Sequence, residues 1–418
     1  MQTEFFKYQS TVSASKIIND PVFGFINIPG GLLLDIVKHP VFERLTRIRQ
    51  LGLAHVVYPG AQHTRFQHSI GALHLTSLAI QTLLEKGNFI FESEAEAVRV
   101  AILLHDVGHG PFSHVLENTL ITGVDHEEIS LLLMERMNEE FRGRLNLAIK
   151  IFKDEYPKKF LHQLISSQLD MDRLDYLRRD SFYTGVTEGN IGSARIIEML
   201  NVHDDSLVIE KKGIYSIENY LVSRRLMYWQ VYLHKTAVAA EHVLINALNR
   251  AKYLASQGVE LFASPALHYF LYNNVDAERF FSSGESLDMY VQLDDNDIMG
   301  ALKVWCNHPD KILSTLSHDL IDRNIFKVEV SEERPSDEYI QQKIDEISSV
   351  FGITSDEARY FISLNELGKD MYNLSDDNIE ILQKDSSICD ITEASDMLNI
   401  SVLSKKVRKF YFCYQRLN

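Results

Sequence analysis

The sequence has little cysteine, no long apolar run and no excess of positive charge. Only three of its 418 residues are cysteine, they lie far apart, and none forms a CxxC pair. This spacing offers neither a disulfide framework nor a zinc ribbon, and it predicts a protein of the reducing cytoplasm. No run approaches the ~18 apolar residues of a membrane-spanning helix, and residues 1–7 lack the basic start and apolar stretch of a secretory signal.

The charge balance is acidic, with 58 Asp and Glu against 42 Lys and Arg and a formal net charge of −16. Such a chain does not bind nucleic acid through its overall field, so nucleic acid is not expected as the main partner. A polyanionic substrate would have to be met by local cations and metal. The length and the apolar content of 45% predict one large domain with a smaller appendage.

Apolar periodicity predicts a mainly α-helical fold with small β-hairpins. The predicted helices are Thr64–Glu85, Ser93–Leu104, Glu127–Glu140, Lys158–Gln168, Asp172–Asp180, Ile191–Leu200 and one long helix, Ile217–Gln257. The predicted strand segments are a hairpin at Ser206–Ile217, a strand at Phe326–Val330 and a hairpin at Ile379–Ile391. A polar stretch beginning at residue 331 separates a domain at 1–330 from a smaller α+β region at 331–418, for which a lid or an oligomer contact is the hypothesis.

An adjacent His105–Asp106 pair ends an apolar run in the segment AILLHDVGHGPFSH, residues 101–114. Both residue types bind metals, and burying them without a partner would cost several kcal/mol. Two more ligand candidates are His68 upstream and Asp172 downstream. This mixed N/O set suits hydrolytic chemistry on Mn, Fe, Zn or Mg better than a structural thiolate site.

Histidines cluster around this pair, since nine of the sixteen lie between residues 39 and 126. Such clustering favours a site over chance. A lone buried histidine is nevertheless more often a hydrogen-bonded core residue than a ligand. His55, His63 and His74 are interpreted in that way.

The segment after the pair contains the candidate proton-transfer groups. Gly108 and Gly110 permit close approach of backbone or ligand. The candidate groups are His109 and His114 facing the substrate, Glu117 orienting His114, and His126 in proton transfer. Asp125 and Glu128, beside His126, are interpreted as helix caps.

The helix predicted to begin at Asp172 combines metal, phosphate and sugar chemistry. Asp172, Tyr176 and Asp180 follow at steps of four and share a face. Arg173, and Arg65 on the helix of the upstream histidine, can reach a phosphate near the metal. The alternative, an ordinary amphipathic helix with surface ion pairs, is disfavoured by the neighbouring motif.

A second stripe consists of Arg224, Tyr228 and Tyr232, which recur every four residues in the long predicted helix. An aromatic stripe at helical spacing is more often core. Here Arg and Lys interrupt it, Lys235 among them, and a pure core excludes these residues. The stripe is therefore predicted to line the site.

Taken in order, these motifs resemble those of the HD-domain metal-dependent phosphohydrolases. Within that family they are most similar to the deoxynucleoside triphosphate triphosphohydrolases, including the SAM-and-HD-domain enzyme. The resemblance covers roughly residues 16–245. The segments that carry it are INDP (18–21), FERLTRIRQLG (42–52), YPGAQHTRFQHS (58–69), HDVGHGPFSH (105–114), DMDRLDY (170–176) and YLHK (232–235).

The resemblance implies a helical HD-domain fold and hydrolysis of dNTPs to deoxynucleoside and triphosphate, by attack of a metal-activated water on the α-phosphorus. It implies metal binding by His68, His105, Asp106 and Asp172, and triphosphate binding by Arg65, Arg173 and Tyr176, with Arg224 and Lys235. Gln50 and Asp180 would bond the 3′-hydroxyl, Tyr232 would exclude a 2′-hydroxyl, and Leu51 and Tyr228 would complete the substrate site. His114 would be the general acid, oriented by Glu117, with His126 and His109 nearby.

The resemblance also carries expectations about partners. A second Mg²⁺ can accompany the substrate, and a homo-oligomer is expected. In the SAM-and-HD-domain relatives a short segment recognises a guanine effector, and Lys38, Glu43 and Thr46 stand at the aligned positions here. They do not reproduce the acidic, amide and arginine set, so guanine regulation is not expected, while another effector or none remains open. About 30 residues precede the first core helix, so a separate N-terminal SAM domain is not expected.

Two other functions remain open. One is an HD-type phosphomonoesterase or phosphodiesterase acting on another nucleotide, although a Gly-Tyr-Pro continuation typical of cyclic-dinucleotide enzymes is absent after the HD pair. The other is a nucleotide-sensing module with an inactive site. The presence of all four candidate metal ligands, together with Arg65 and Arg173, disfavours the sensor.

Overall fold

A computed structural model describes residues 15–112, 114–117, 119–369, 378–396 and 407–417, without the side chains of His114, Glu117, Lys369 and Val407. The described α-helices are α1 (Leu32–Val37), α2 (Pro40–Glu43), α3 (Arg65–Glu85), α4 (Glu92–Leu104), α5 (His114–Glu117), α6 (His126–Glu140), α7 (Asn146–Phe152), α8 (Lys159–Gln163), α9 (Met171–Thr184), α10 (Ser193–Met199), α11 (Ile214–Met227), α12 (Lys235–Ser256), α13 (Pro265–Tyr272), α14 (Ala277–Ser282), α15 (Gly284–Tyr290), α16 (Asp295–Trp305), α17 (Lys311–Ile321), α18 (Asp337–Phe351), α19 (Ser355–Ala358) and α20 (Ile391–Ala394).

The described strands form small sheets around these helices. They are β1 (Lys16–Asp20), β2 (Gly24–Ile28), β3 (Ile121–Thr122), β4 (Leu200–His203), β5 (Ser206–Glu210), β6 (Val275–Asp276), β7 (Lys327–Ser331), β8 (Ile362–Lys369), β9 (Glu380–Leu382), β10 (Ile388–Asp390) and β11 (Val407–Tyr414). β1 and β2 form an antiparallel hairpin, β3 pairs with β6, and the larger sheets have the orders β10-β9-β5-β4 and β7-β11-β8.

The helical core centres on α3, α4, α9 and α12. α3 begins after Thr64, which forms a capping box with Gln67, and it buries a nearly continuous set of residues from its first turn to Leu83. α9 packs directly against α3, and α12 buries alanines that permit close helix contact. The N-terminal turns of α3 and α9 and the C-terminal end of α4 therefore come together in the interior.

The mainly α-helical fold class with small β-hairpins is confirmed. α3 and α6 begin and end within a residue of their predicted bounds, and β9 and β10 form the predicted antiparallel hairpin. The hairpin predicted at Ser206–Ile217 is wrong, because β5 pairs with β4 and β9 while residues 214–217 begin α11. A short apolar run does not distinguish a strand from a buried helical turn.

The single long helix predicted at Ile217–Gln257 is also wrong. α11 ends at Met227, residues Tyr228–Tyr232 form a π-helix, and the chain leaves helical geometry at Leu233 and His234 before α12 begins. π-helical turns are rare and occur frequently at functional sites. The interruption falls inside the predicted Arg–Tyr stripe.

The region after residue 331 contacts the preceding residues at several places. β9 extends the β4–β5 sheet in parallel register, and Asn246 of α12 donates a hydrogen bond of 2.8 Å to the carbonyl of Tyr360. The domain boundary at 331 stays a prediction. Among the described helices, none has the length and apolar character needed to cross a membrane.

Asp319 in α17 should make the stability of the fold depend on pH. Asp319 is 4% exposed, and burial raises the pKa of its carboxyl to about 6. A hydrogen bond of 2.7 Å from Asn324 to Oδ1 offsets only part of this rise. An unfolded Asp has a pKa of about 3.9, so the folded state binds more protons between the two values. The free energy of unfolding should therefore contain a component that falls from about pH 4 to about pH 6 and then stays level.

Asp319→Asn should remove this component, because an amide does not titrate. Urea unfolding of both proteins between about pH 4 and pH 7 would measure it. Asp356→Asn is the control, because the Asp356 side chain is 99% exposed. Equal pH dependence in the wild type and Asp319→Asn would contradict the assignment.

Candidate metal centre and active site

Three side chains from three helical segments meet at one point. His68 lies in the first turn of α3, His105 follows α4, and Asp172 lies in the first turn of α9. Oδ1 of Asp172 is 3.0 Å from Nε2 of His68 and 3.5 Å from Nε2 of His105, and the two Nε2 atoms are 3.3 Å apart. Their ligand atoms all lie within 4.8 Å of one another, so a single metal ion could contact all three.

The other ring nitrogen of each histidine fixes its orientation. Nδ1 of His68 bonds to Asp175 at 2.7 Å, and Nδ1 of His105 bonds to the carbonyl of Ile102 at 2.6 Å. Both partners accept, so each Nδ1 carries a proton and the facing Nε2 atoms are free to ligate. Although burial lowers it, hydrogen bonds to Asp172 and Asp175 raise the pKa of His68 to about 10. The carboxylates that stabilise a proton on Nε2 would also stabilise a cation bound there in its place. The donor set fits a divalent cation.

A buried ion-pair network supports His68. Both oxygens of Asp175 bond to the Arg179 guanidinium at 2.9 Å, and Nη1 of Arg179 bonds to Asp20 of β1 at 2.7 Å. Arg179 has no solvent exposure. A Cβ at Gly71 would lie 1.9 Å from Asp175 and 2.1 Å from Arg179, so only glycine leaves room for this pair between α3 and α9.

The turn after α4 is held by a second buried arginine. Arg44 donates hydrogen bonds of 2.8 Å to the carbonyl of Val107 and 2.7 Å to the carbonyl of His109. Its guanidinium lies 5.3 Å from the centre of the Tyr290 ring, and the Tyr290 hydroxyl bonds to the carbonyl of Gly108 at 2.7 Å. These contacts fix three successive carbonyls of the turn that carries the His–Asp pair.

The same turn packs against α6. Ser130 accepts a hydrogen bond of 2.8 Å from the amide of Gly108 and donates one of 2.7 Å to the carbonyl of His105. A Cβ at Gly108 would lie 2.2 Å from the carbonyl oxygen of His126. The sequence prediction that this glycine permits close backbone approach is confirmed.

Asp106, the fourth predicted ligand, lies beside the three converging side chains. Its carboxylate oxygens are 3.6 Å from Nε2 of His68 and 3.4 Å from Nε2 of His105. Arg65 bonds to Oδ2 at 2.6 Å, and Nε2 of His109 is 3.3 Å from Oδ1. Although burial raises it, the charges of His105 and Arg65 and the hydrogen bond from His109 hold the pKa of Asp106 well below its usual range. Its role as a ligand stays a prediction.

The proposed proton-transfer histidines lie next to this carboxylate. The rings of His109 and His126 stack with centroids 3.8 Å apart and an interplanar angle of 16°. Burial, followed by the charge of Arg65, lowers the pKa of His109 to about 3, so its ring is neutral. The side chains of His114 and Glu117 lie outside the described part of the structure.

Asp180, two turns along α9 from Asp172, is held from both sides. Nε2 of His63 is 2.7 Å from Oδ1, and the Tyr232 hydroxyl donates to Oδ2 at 2.7 Å. His63 was interpreted as a core residue, and it is indeed buried and hydrogen-bonded, but its partner is the predicted sugar-binding carboxylate. The only sequence signal for this role is its position five residues before His68. Buried Nδ1 of His63 has no hydrogen-bond partner among the described residues.

The predicted phosphate-binding residues form a cluster of arginine and tyrosine. Arg173 bonds through Nε to Asp170 at 2.9 Å and to the carbonyl of Ser167 at 2.6 Å. Arg224 is 4% exposed, and its Nε and Nη1 have no hydrogen-bond partner among the described residues. Although burial lowers it, interactions with Tyr220 and Tyr176 raise the pKa of Arg224. A buried cation with unused donors is suited to an anionic ligand.

The remaining predicted substrate residues occupy different surroundings. Oε1 of Gln50 is buried without a hydrogen-bond partner in the described structure, while the backbone N–H of Gln50 donates to the carbonyl of His63 at 3.0 Å. Leu51 packs against the core, and the Tyr228 ring lies edge-on to Tyr232 at 5.2 Å. Lys235 is exposed at the first position of α12.

The sequence matches the HD domain family over residues 65–180 and the HD associated region over residues 191–261. It is 31% identical over 417 residues to the uncharacterized protein YwfO of Bacillus subtilis (strain 168), covering 96% of this chain and 93% of that protein. It is 30% identical to the deoxynucleoside triphosphate triphosphohydrolase SAMHD1 homolog of Dictyostelium discoideum, over 58% of this chain. The match spans 50% of that relative's length.

The crystal structure of a phosphohydrolase from Bacteroides thetaiotaomicron VPI-5482 has the same fold, with a TM-score of 0.95 and 69% sequence identity. The match covers 96% of this chain and all of that chain. At this identity the two proteins share a fold over nearly their whole length.

Gly71→Ala should damage both the fold and the metal centre. The added methyl displaces Asp175 or Arg179, and breaking a buried ion pair costs about 3–5 kcal/mol. We expect a corresponding loss in the free energy of unfolding and at least tenfold weaker Mn²⁺ binding by isothermal titration calorimetry, because His68 loses its support.

Gly300→Ala in α16 is the matched control. Nothing lies within 4 Å of a Cβ built at Gly300, so this change should stabilise the protein slightly, as a helical Gly→Ala change does by about 0.5–1 kcal/mol. Wild-type stability and Mn²⁺ affinity in Gly71→Ala would show that the Asp175–Arg179 pair does not set the position of His68.

Proposed function

This chain belongs to the HD-domain phosphohydrolases, and on that premise we propose that it hydrolyses deoxynucleoside triphosphates to deoxynucleoside and triphosphate. The observation that carries the proposal is the set of groups that α9 brings to one site. Asp172 faces the candidate metal centre, Tyr176 lies one turn on beside Arg224, and Asp180 lies two turns on, about 12 Å along the axis. One helix thus carries a candidate metal ligand, a tyrosine beside the arginine cluster and a carboxylate suited to a sugar hydroxyl, which are the three kinds of group that a nucleotide substrate requires.

His68, His105 and Asp172 would hold the divalent ion, with Asp106 as the fourth ligand. Bound there, such an ion would lower the pKa of a water molecule toward 7 and polarise a phosphoryl oxygen. Arg65 is already ordered beside this point by its 2.6 Å bond to Asp106. It would neutralise charge that develops on the α-phosphate.

The triphosphate would occupy the arginine cluster. Arg224 offers two buried nitrogens without hydrogen-bond partners in the described structure. Arg173 is bonded to Asp170 through Nε, so its two terminal nitrogens would face the phosphates. Arginine remains charged when buried, so the cluster supplies fixed positive charge within an acidic protein. Lys235 and Tyr228 would contact the outer phosphates.

The sugar would lie against Asp180. Gln50 and Asp180 would bond the 3′-hydroxyl, and Tyr232, already bonded to Asp180, would leave no space for a 2′-hydroxyl. His114, oriented by Glu117, would protonate the departing 5′ oxygen, with the stacked His109 and His126 beside it. A nucleotide effector, a homo-oligomer and a cytoplasmic location remain expectations that accompany this function.

Product analysis tests the proposal. The protein would be incubated with each dNTP and each NTP, singly and mixed, with Mn²⁺ or Mg²⁺, and the products separated by ion exchange. We expect deoxynucleoside and intact triphosphate from the dNTPs and no such products from the NTPs. Turnover should fall by about 10³-fold or more in Asp172→Asn, since the change removes a metal ligand. Asp288→Asn, at an exposed surface position, should remain as active as the wild type.

The other products would decide between the alternatives. Monophosphate with pyrophosphate would mean that the bond between the α- and β-phosphates is cleaved instead of the bond to the 5′ oxygen, and would contradict the proposal. Turnover of phosphomonoesters alone would favour the phosphomonoesterase, and binding without turnover under every condition would favour the sensor. A rate that rises only in nucleotide mixtures would reveal an effector site.

His63→Phe should weaken substrate binding. Phenylalanine retains a ring to stack on Tyr183 but removes the bond that orients Asp180. Loss of one hydrogen bond to a buried carboxylate is worth about 1.5 kcal/mol, or roughly tenfold in KM for the dNTP, with a smaller change in kcat. His63→Gln, which restores an N–H donor, should recover part of the loss. An unchanged KM in a folded His63→Phe protein would exclude a role for His63 in positioning Asp180.

A further inference from the structure

The π-helix Tyr228–Tyr232 carries the tyrosine that bonds to Asp180. Its closing hydrogen bond runs from the amide of Leu233 to the carbonyl of Tyr228 at 2.7 Å. The chain then leaves helical geometry before α12 begins. The carbonyl of Leu233 therefore has no hydrogen bond from a following helical turn. Rare backbone geometry of this kind persists where surrounding contacts hold it.

One set of contacts to the π-helix comes from the helical core. The Tyr58 hydroxyl donates to the carbonyl of Gln230 at 2.5 Å, and the Gln230 side chain donates to Glu188 at 3.2 Å. These bonds hold the middle of the π-helix. They leave the carbonyl of Leu233, at the end of the π-helix, to be bonded by another part of the chain.

Strand β11 supplies that contact. The Tyr411 hydroxyl donates to the carbonyl of Leu233 at 2.9 Å, and Nζ of Lys409 lies 4.3 Å from the centre of the Trp229 ring. Tyr411 is 3% exposed. Its register partners are Val330 on β7 and Asn365 on β8, so it projects from the central strand of a three-stranded sheet. A central strand is a rigid support.

A second contact from the C-terminal region reaches the helix that precedes the π-helix. Ser395, directly after α20, donates a hydrogen bond to the buried carboxylate of Glu218 in α11. Glu218 lies six residues before Arg224. The C-terminal region therefore contacts the segment that carries Arg224 and Tyr232 on both sides of these residues.

We propose that β11 is a positioning strand for the sugar pocket: Tyr411 and Lys409 hold the π-helix so that Tyr232 stays bonded to Asp180, and discrimination against ribose depends on the C-terminal sheet. The dependence on sugar rests on the proposed function, whereas the support of the π-helix does not. This gives the region after residue 331 a role as part of the active-site wall. Tyr411 and Lys409 act through Tyr232 and do not touch the substrate.

The test uses three variants: Tyr411→Phe, Lys409→Met and the double variant that combines these two changes. Each is compared with the control Tyr414→Phe. Tyr414 is the matched control because it lies on the same strand, while its hydroxyl bonds to Glu329 of β7 at 2.6 Å and not to the π-helix. Hydrogen exchange measured by mass spectrometry reports local opening directly. Loss of one hydrogen bond, about 0.5–1.5 kcal/mol, should raise exchange of the amides at residues 229–234 by about twofold to tenfold in Tyr411→Phe. Tyr414→Phe should leave these amides unchanged.

A kinetic measurement tests the consequence for the sugar. The ratio of kcat/KM for a dNTP to kcat/KM for the matching NTP should fall about fivefold to tenfold in the double variant, because two weak contacts are lost. The ratio should stay at the wild-type value in Tyr414→Phe. The melting temperature of each variant separates this effect from general destabilisation.

The outcomes separate this inference from the proposed function. Unchanged exchange at residues 229–234 in the double variant would overturn the positioning role, whatever the substrate. Raised exchange with an unchanged sugar ratio would overturn the link to ribose discrimination. A wild-type protein that hydrolyses no dNTP would refute the proposed function and with it the sugar role, while the exchange measurement would still decide whether β11 holds the π-helix.

Discussion

The candidate active site depends on one buried guanidinium. Arg179 has no solvent exposure, and it binds Asp175 through two hydrogen bonds and Asp20 through a third. Asp175 in turn fixes the Nδ1 proton of His68, so the orientation of a candidate metal ligand depends on a strand near residue 20. Removing charges from water is costly, and such a network is stable only when each member keeps its partners. The close contact of α3 with α9 at Gly71 encloses the network.

The distribution of charge shows how an acidic chain could bind the polyanionic substrate proposed for it. The net charge is −16, yet Arg44, Arg65 and Arg224 are each at least nine-tenths buried around the site. Arg44 donates hydrogen bonds to the backbone of the turn that follows His105 and Asp106. Arg224, in contrast, has two nitrogens without hydrogen-bond partners in the described structure. Fixed cations in a dry pocket act more strongly on a phosphate than exposed cations would.

The sequence predicted the parts of the site that local spacing encodes. His68, His105 and Asp172 stood out because ligand residues at the ends of apolar runs have few structural explanations, and the four-residue steps from Asp172 to Asp180 require only that α9 is a helix. The contact of His63 with Asp180 was not predicted, because 117 residues separate the two. Among histidines with no local partner, periodicity does not distinguish a core residue from one that holds a functional carboxylate.

The stripe of Arg224, Tyr228 and Tyr232 shows that predicted neighbours can meet although the helix predicted to carry them is wrong. Tyr228 and Tyr232 do come together, with ring centroids 5.2 Å apart, but they do so in a π-helix at the end of a helix that stops at Met227. Propensity within the segment favours a continuous α-helix, and the contacts that select the π-helix come from residues as distant as Tyr411. Local sequence therefore specifies which chemical groups the site contains. Pairings across the chain specify where those groups point, and only a three-dimensional structure reveals them.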